Sequence, residues 1–424
     1  MAGKTKYNIV ELFSGIGSQA KALCNIGCKI NVVHTCEWDI HAFVAYDAIH
    51  NSTKNINEVN TLSREQILSF INKFQLSNDG KNPTTPALIS SYNDETLKRI
   101  YTAIKRTNNL VNINDVSGKD IPSNIDILTY SFPCQDLSNV GAFHGYNKGI
   151  DPHSGSRSSL LWQVGRILQE MKNMNKSLPK YLIMENVPTL LSYRHIDNFN
   201  AWIEDLKELG YVSQYFPLNA RYFGIPQNRP RLIMISVFVG KNIKRKQKIE
   251  NYFKSISSSK LIKEYKDSNF FKQLSINDLL RIPKKYDLSL KEEALASTPN
   301  DTPSRRKIWN ENPKIIDENN RLTKDEFIRT LTTKQDRHPN SGNIYFKNNI
   351  KSKSNFRYLT PRECLLFMGF SDKDYEHIIE NNPKMSRKNS LFSRDKIIKM
   401  AGNSIPVKLL EGVMFQLRKI DKLL

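Results

Sequence analysis

Residues 7–37 read YNIVELFSGIGSQAKALCNIGCKINVVHTCE, and this stretch decides the fold. Residues 7–13 are apolar enough for a buried strand, 14–17 form a glycine turn, and 18–26 have helical spacing. Gly27 stops that helix, and residues 30–36 rise into a second strand. Strand, glycine turn, helix, strand is the opening of a doubly wound parallel sheet, an α/β fold of Rossmann-like type. Within it, Gly15-Ile16-Gly17-Ser18-Gln19-Ala20 matches G-x-G-x-x-A, and Glu37 follows Gly17 by twenty residues. The glycines let the backbone approach a ligand closely, and a carboxylate ending the second strand can accept both hydroxyls of a ribose. Alone, this indicates an adenosine-containing cofactor and fits a dehydrogenase equally. A tight turn followed by a surface glutamate would read the same way.

Outward from that unit, a polar, Asn-rich segment covers residues 48–112, with amphipathic surface helices expected at 63–74 and 93–106. The sheet pattern resumes with strands at 125–130, 181–184, 212–218 and 231–238, and intervening helices at 159–171 and 198–209. Residues 240–355 are rich in Lys, Asn and Ser, without alternation of strand and helix, and read as a separate, smaller domain. Helices at 360–368 and 406–417 close the chain. The expected division is therefore 1–239 with 356–424 as the larger domain, and 240–355 as the smaller.

The 424 residues are 39% hydrophobic, enough for a packed core, and no run of about 18 apolar residues could span a bilayer. The six residues before Tyr7 leave room for neither a signal peptide nor an additional module. Five scattered cysteines point to a reducing cytoplasm and not to a disulfide framework. Cys24 and Cys28 lack the second ligand pair of a structural zinc site, so no metal is expected. A formal net charge of +21 points to a polyanion, duplex DNA or RNA being the natural candidate. A solubilising surface would give the same sign.

Three later motifs carry chemistry. Ser131-Phe132-Pro133-Cys134-Gln135 follows a strand, which puts a cysteine, the best nucleophile among side chains, at the ligand-facing edge of the sheet. Met184-Glu185-Asn186-Val187-Pro188 ends another strand, where a crevice carboxyl group can serve as a proton donor. Residues 219–231, NARYFGIPQNRPR, end in Arg229 and Arg231, which point the same way if the segment is a strand. Each motif has a plainer reading: a core cysteine, a solvent-facing glutamate, and arginines on phosphate or in water.

Taken in order, FSGIGS, EWD, SFPCQDLS, MENVP, LNARYFGIPQNRPR, RYLTPRECLLFMGF and AGNSIP resemble the motif series of bacterial C5 cytosine-specific DNA methyltransferases of restriction-modification type. The resemblance covers the N-terminal half and the C-terminal tail, leaving about 240–325 unmatched. It implies an S-adenosylmethionine-dependent methyltransferase sheet with a smaller target-recognition domain. Cys134 would attack C6 of a flipped-out cytosine, Glu185 would hold N3 and the exocyclic amine, and Arg231 would hold O2, with Arg229 supporting the loop and the thiolate's field. S-adenosyl-L-methionine would lie against Phe13, Ser14, Gly15, Ile16 and Ser18. Glu37 would take its ribose, Trp38 would stack on its adenine, and Asp115 and Val116 would read its amino group. Pro133, Leu160, Asn403 and Ile405 would complete the wall.

The partner implied is double-stranded DNA, acted on by a monomer, with a cognate endonuclease in the same system that need not bind stably. Gln135 and Ser138 would contact DNA from a loop, and Thr330, Leu331, Lys334, Gln335 and Arg337 from the variable domain. Ser18 departs from a glycine common in the family. The long gap after Glu37 leaves Asp120 as an alternative to Asp115, and Ser158-Ser159-Leu160 is a loose match to the family's fifth motif. A tRNA cytosine methylase shares the motifs but carries a Cys-Phe-Thr segment absent here. Intact Cys134, Glu185 and Arg231 oppose a catalytically silent regulator. Family members acting on short sites such as GATC or CG are nearest in pattern, with GATC the favoured expectation of the two.

Overall fold

The computed structural model describes residues 6–51, 58–133, 137, 149–151, 157–284, 286–335, 340–386 and 389–424. Strand β1 (Lys6–Leu12), the helix Ser18–Asn25 and β2 (Lys29–Cys36) form the expected opening. They are followed by β3 (Ile127–Tyr130), β4 (Tyr181–Asn186), β5 (Tyr211–Asn219), the short β6 (Gln227–Asn228) and β7 (Pro230–Phe238). The main sheet has the order β2-β1-β3-β4-β7-β5. β1 runs parallel to β2 and β3, and β3 parallel to β4. The chain moves first to one side of β1 and then to the other, which opens a ligand crevice at the carboxyl ends of these strands.

The sheet is not parallel throughout. β7 is antiparallel to β4, with Tyr181 opposite Val237 and Asn186 opposite Leu232. Residue pattern reports burial and not direction. Between β5 and β7 the chain makes only a short 3-10 turn and β6, not the long helical crossover that parallel neighbours need.

Strands buried on both faces read as continuous apolar runs, and the packing shows why. On one face Leu12, Leu128, Tyr130, Leu182 and Met184 join a core with the helices Leu161–Asn173 and Ile196–Glu208. Trp202 is fully buried there, and its indole N–H donates to Tyr130 Oη at 3.1 Å. The final helix, Val407–Asp421, tethers its end by Asp421, which accepts from Tyr7, Lys180 and Tyr181. Among the described residues no helix is long and apolar enough to cross a membrane.

The 48–112 segment carries its two expected helices, Arg64–Ile71 and Asp94–Arg106. Asn93 caps the second by accepting from Thr96 N at 2.9 Å. Its apolar face lies against the helix Ile40–Asn51, where Arg106 pairs with the buried Asp47. The chain then runs along the edge of β2, with Thr35 N donating to Thr107 O (3.2 Å) and Leu110 N to Thr35 O (2.8 Å). The segment thereby covers part of an otherwise open sheet edge.

The chain packs as two units. The first comprises residues 1–218, 230–270 and 409–424; the second comprises 219–229 and 271–408. The division expected from composition, 240–355 against the rest, differs at both ends. Residues 240–270 join the first unit because the helices Ile243–Ser255 and Ser258–Lys266 bury Ile249, Phe253, Leu261 and Tyr265. Tyr265 donates to Glu411, Tyr252 to Gln416 at 2.6 Å, and Phe270 packs its ring on Phe415. A few apolar residues at helical spacing decide this, and abundant lysine conceals them.

Residues 356–408 belong to the second unit instead of returning to the first. Arg357 and Glu363 form a fully buried bidentate pair there, at 2.7 and 2.8 Å. Glu363 also completes the capping box of the helix Pro361–Phe367 with Thr360. This unit holds a parallel pair of β6 with Ile328–Arg329 and a three-stranded sheet ordered Phe356–Arg357, Asn343–Tyr345, Lys314–Ile316.

Candidate active site

The glycine turn leaves β1 through three left-handed residues: Phe13 (φ 56°), Gly15 (φ 53°) and Gly17 (φ 80°). Phe13 is the unusual one, since residues with a Cβ seldom adopt this region outside strained functional turns. At Gly17 a Cβ would come within 2.2 Å of His50 Nε2, so only glycine fits. Around Gly15 a Cβ would meet nothing within 4 Å, which leaves its backbone open to a ligand. Ser14 N donates to Cys36 O at 3.2 Å, tying the turn to the end of β2. The Ser14 hydroxyl is buried and makes no hydrogen bond among the described residues. An uncompensated buried hydroxyl is costly, and a ligand's polar atom would satisfy it.

Glu37 stands where β2 ends. Its carboxylate accepts from Gly15 N at 3.0 Å and from Asp39 N at 2.9 Å, which fixes it beside the glycine turn. Phe13, Gly15, Glu37 and Trp38 are half-buried, whereas Ser14, Ile16 and Ser18 are buried. These seven expected cofactor residues are thus gathered at adjacent strand ends, and an open backbone, an unpartnered hydroxyl and a fixed carboxylate fit the polar groups of S-adenosyl-L-methionine.

Beneath them sits a residue that sequence reading passed over. Glu11, fully buried on β1, accepts from Ala20 N at 3.1 Å and from Tyr46 Oη. Burial pushes its carboxyl up to about 7, against those hydrogen bonds, which pull it down. The available signal was an acidic residue inside a buried strand.

Asp115 is exposed and Val116 buried, and both line an open cavity of about 450 Å³ with Asp120, His34, Phe70 and Lys105. Neither the glycine turn nor Glu37 lines it. Asp120, the alternative, accepts locally through Oδ2 from Ser117 N at 2.9 Å and Ser117 Oγ at 3.1 Å.

Cys134, Gln135 and Ser138 lie outside the described residues, but the chain on either side of the cysteine is held at four points. Ser131 Oγ donates to Phe13 O (3.3 Å), Asn186 Nδ2 to Phe132 O (3.1 Å), Ser158 Oγ to Pro133 O (2.6 Å) and Thr189 Oγ1 to Leu137 O (2.6 Å). Pro133 and Leu160 are half-buried, and Leu160 packs on the main core. The anchoring roles of Asn186, Ser158 and Thr189 were not foreseen, since each depends on a carbonyl tens of residues away.

Glu185 is the penultimate residue of β4, and Arg231 the second of the antiparallel β7. The Arg231 Nε and Glu185 Oε1 atoms are 2.7 Å apart, each side chain retaining 12% of its surface. The antiparallel register produces this meeting, since Glu185 lies opposite Ile233. A carboxylate and a guanidinium at the crevice edge, beside the anchored 131–133 segment, can together grip a planar heterocycle with amide-like edges.

Arg229 does not join them. It lies in the second unit, 1% exposed, donating to Leu331 O (2.7 Å), Gly402 O (2.6 Å) and Ser404 O (3.0 Å). The expectation that the two arginines point the same way fails because Arg229 separates β6 from β7 and is not part of a continuous strand. Thr330 and Leu331 belong to the same cluster: Thr330 Oγ1 donates to Asn228 O (2.6 Å) and Leu331 N to Gln227 Oε1 (3.0 Å). Leu331 is fully buried, and Gln335 is buried with its Oε1 accepting from Ser341 Oγ at 2.7 Å, so neither side chain is available to DNA. Lys334 is exposed, and Arg337 lies outside the described residues. Asn403 is exposed and Ile405 buried within this unit.

Residues 71–419 match the family model described as C-5 cytosine-specific DNA methylase. The chain is 32% identical to the orphan methyltransferase M.SssI of Spiroplasma monobiae, over 96% of each chain. It is 30% identical to the type II methyltransferase M2.ScrFI of Lactococcus lactis subsp. cremoris, over 97% of this chain and 99% of that one. Among solved structures, the S. pombe Dnmt2 methyltransferase aligns with a TM-score of 0.55 at 15% identity, covering 98% of this chain and 99% of its own.

Proposed function

Because the chain belongs to the C-5 cytosine-specific DNA methylase family, and is therefore a DNA (cytosine-5-)-methyltransferase using S-adenosyl-L-methionine, we propose the following roles for its own residues. The target cytosine leaves the duplex, at a cost of a few kcal/mol in lost stacking and pairing. Cys134 attacks C6 as a thiolate, and the pair electrons of the 5,6 double bond become available at C5. Glu185 holds N3 and the exocyclic amine and supplies the proton that neutralises the ring, while Arg231 holds O2. When bound, S-adenosyl-L-methionine supplies the electrophilic methyl group that C5 accepts. Water then takes the C5 proton, the double bond re-forms, and Cys134 leaves.

Ser14, Gly15 and Glu37 hold the cofactor, with Phe13, Ile16, Ser18, Trp38, Pro133 and Leu160 shaping its site. Asp115, Val116, Asn403 and Ile405 are assigned to it on their motifs alone. The second unit reads the target, with Lys334 and Arg337 as cations for DNA, and Gln135 and Ser138, near Cys134 in sequence, as further DNA contacts. The protein acts as a monomer in the bacterial cytoplasm and protects host DNA beside a cognate endonuclease that it does not stably bind. The type II name of one near-full-length relative supports that setting.

The observation that carries the catalytic assignment is the 2.7 Å pairing of Glu185 with Arg231 beside the anchored residues 131–133. Tritium transfer from labelled cofactor to duplex DNA tests it, with loss on Cys134→Ser and no effect of RNase. A duplex containing 5-fluorocytosine should leave an SDS-resistant adduct on Cys134. Activity on RNA but not DNA, or no adduct under conditions where the cofactor binds, would overturn the assignment. Bisulfite sequencing of DNA from expressing cells identifies the target site.

A further inference from the structure

We propose that Asn109, at the end of the 48–112 segment, is the positioning residue for Glu37. The inference rests on the assignment of Glu37 to the cofactor's ribose. The Asn109 carboxamide is buried, with 4% of the residue exposed. Its Oδ1 accepts from Glu37 N at 3.0 Å and from Val111 N at 3.0 Å, and its Nδ2 donates to Glu37 O at 2.9 Å. Both main-chain polar groups of Glu37 are therefore satisfied by one side chain, just where β2 ends at Cys36 and the strand ladder no longer supplies partners.

With Gly15 N and Asp39 N on its carboxylate, Glu37 is held at its backbone by one set of bonds and at its head by another. A binding group held in this way loses little freedom when its ligand arrives. The same Asn109 oxygen braces a strained turn. Val111 has φ 62°, a region that β-branched residues rarely enter, and it is buried. Asn109 Oδ1 holds its N–H, and Cys36 Sγ donates to its carbonyl at 3.3 Å.

Asparagine suits this place because it offers two acceptor lone pairs and a donor in one short, flat group. Aspartate lacks the donor, and alanine lacks both.

Calorimetric cofactor binding and steady-state methylation of duplex DNA, on Asn109→Ala, Asn109→Asp, Glu37→Ala and the double variant Glu37→Ala with Asn109→Ala, test the proposal. Asn109→Ala is expected to raise Kd and KM for S-adenosyl-L-methionine about tenfold, with kcat at saturating cofactor within about twofold of wild type. Asn109→Asp preserves packing but turns an oxygen toward the Glu37 carbonyl, and is expected to cost as much. In the Glu37→Ala background, Asn109→Ala should add less than about twofold, because the group it positions is gone. A penalty that multiplies in full onto that of Glu37→Ala, one confined to kcat, or a neutral Asn109→Asp would overturn this inference alone. Wild-type protein that bound no cofactor would overturn the underlying reading with it.

Discussion

Around Arg229, in the second unit, a buried guanidinium donates to three main-chain carbonyls, whereas around Arg231, in the first, a half-buried guanidinium meets the carboxylate of Glu185. The two residues stand in one motif, separated by a single proline, and are chemically identical. What separates them is the demand of their surroundings. The carbonyls of Leu331, Gly402 and Ser404 come from two segments distant in sequence, and a planar fork of donors joins them. At Gly402 a Cβ would lie 2.6 Å from Thr333 N, which shows how closely those segments approach. Arg231 instead retains enough exposure to reach a substrate. A motif can thus contain one residue bound into the packing and one left accessible at the strand ends.

The comparison can be broken by experiment. The largest expected effect is on the reactive side: Glu185→Gln should lower methyl transfer by about a hundred- to ten-thousandfold, with the thermal midpoint close to wild type. On the structural side, Arg229→Met should lower the unfolding free energy by about 3 kcal/mol in urea titrations. Arg229→Lys should recover little of it, because an ammonium does not span three carbonyls. If Arg229→Met kept full stability and lost activity, the contrast drawn above would collapse.

An effect of similar size sharpens the picture beneath the glycine turn. Glu11 has its pKa raised from 4.5 to about 7, so between these values the folded protein holds a proton that the unfolded chain has released. Its favourable contribution is complete below 4.5 and is lost as pH rises through 7, by about 3 kcal/mol in total. Glu11→Gln should therefore flatten the stability profile of wild type across that window, as read by denaturant midpoints at successive pH values.

The smallest effects lie in the second unit. Lys334→Ala should weaken DNA binding evenly across sequences and reduce the slope of log affinity against log salt by about 1. Gln335→Ala should shift stability by about 1 kcal/mol and leave base preference unchanged, since its carboxamide is bound within the protein. A changed target sequence in Gln335→Ala would restore it as a reader.

The first strand-turn-helix-strand unit was legible because its information is local. Gly15 and Gly17 need their φ values two residues apart, and Glu37 directly follows the next strand. The assignment of Glu37 and the glycine turn to one place followed from strand spacing alone, and the Gly15 N–Glu37 contact agrees with it. Asn109 was not legible, because its bonds to Glu37 cross seventy-two residues and its neighbours in sequence are ordinary loop residues. The reversed β7 and the membership of the helices at 243–266 escaped for the same reason. Apolar spacing shows that a face is buried, not which surface buries it.

By itself the sequence determined what stands at the strand ends: the types of residue, their order and the local conformation of the glycine turn. These are set by steric rules and hydrogen bonding that act over a few residues. Tertiary structure alone decided which of two like residues would be spent on carbonyls and which would stay accessible, and which side chain would brace Glu37. Those outcomes depend on distances between segments far apart in the chain, and on how much water each is left with once they have packed.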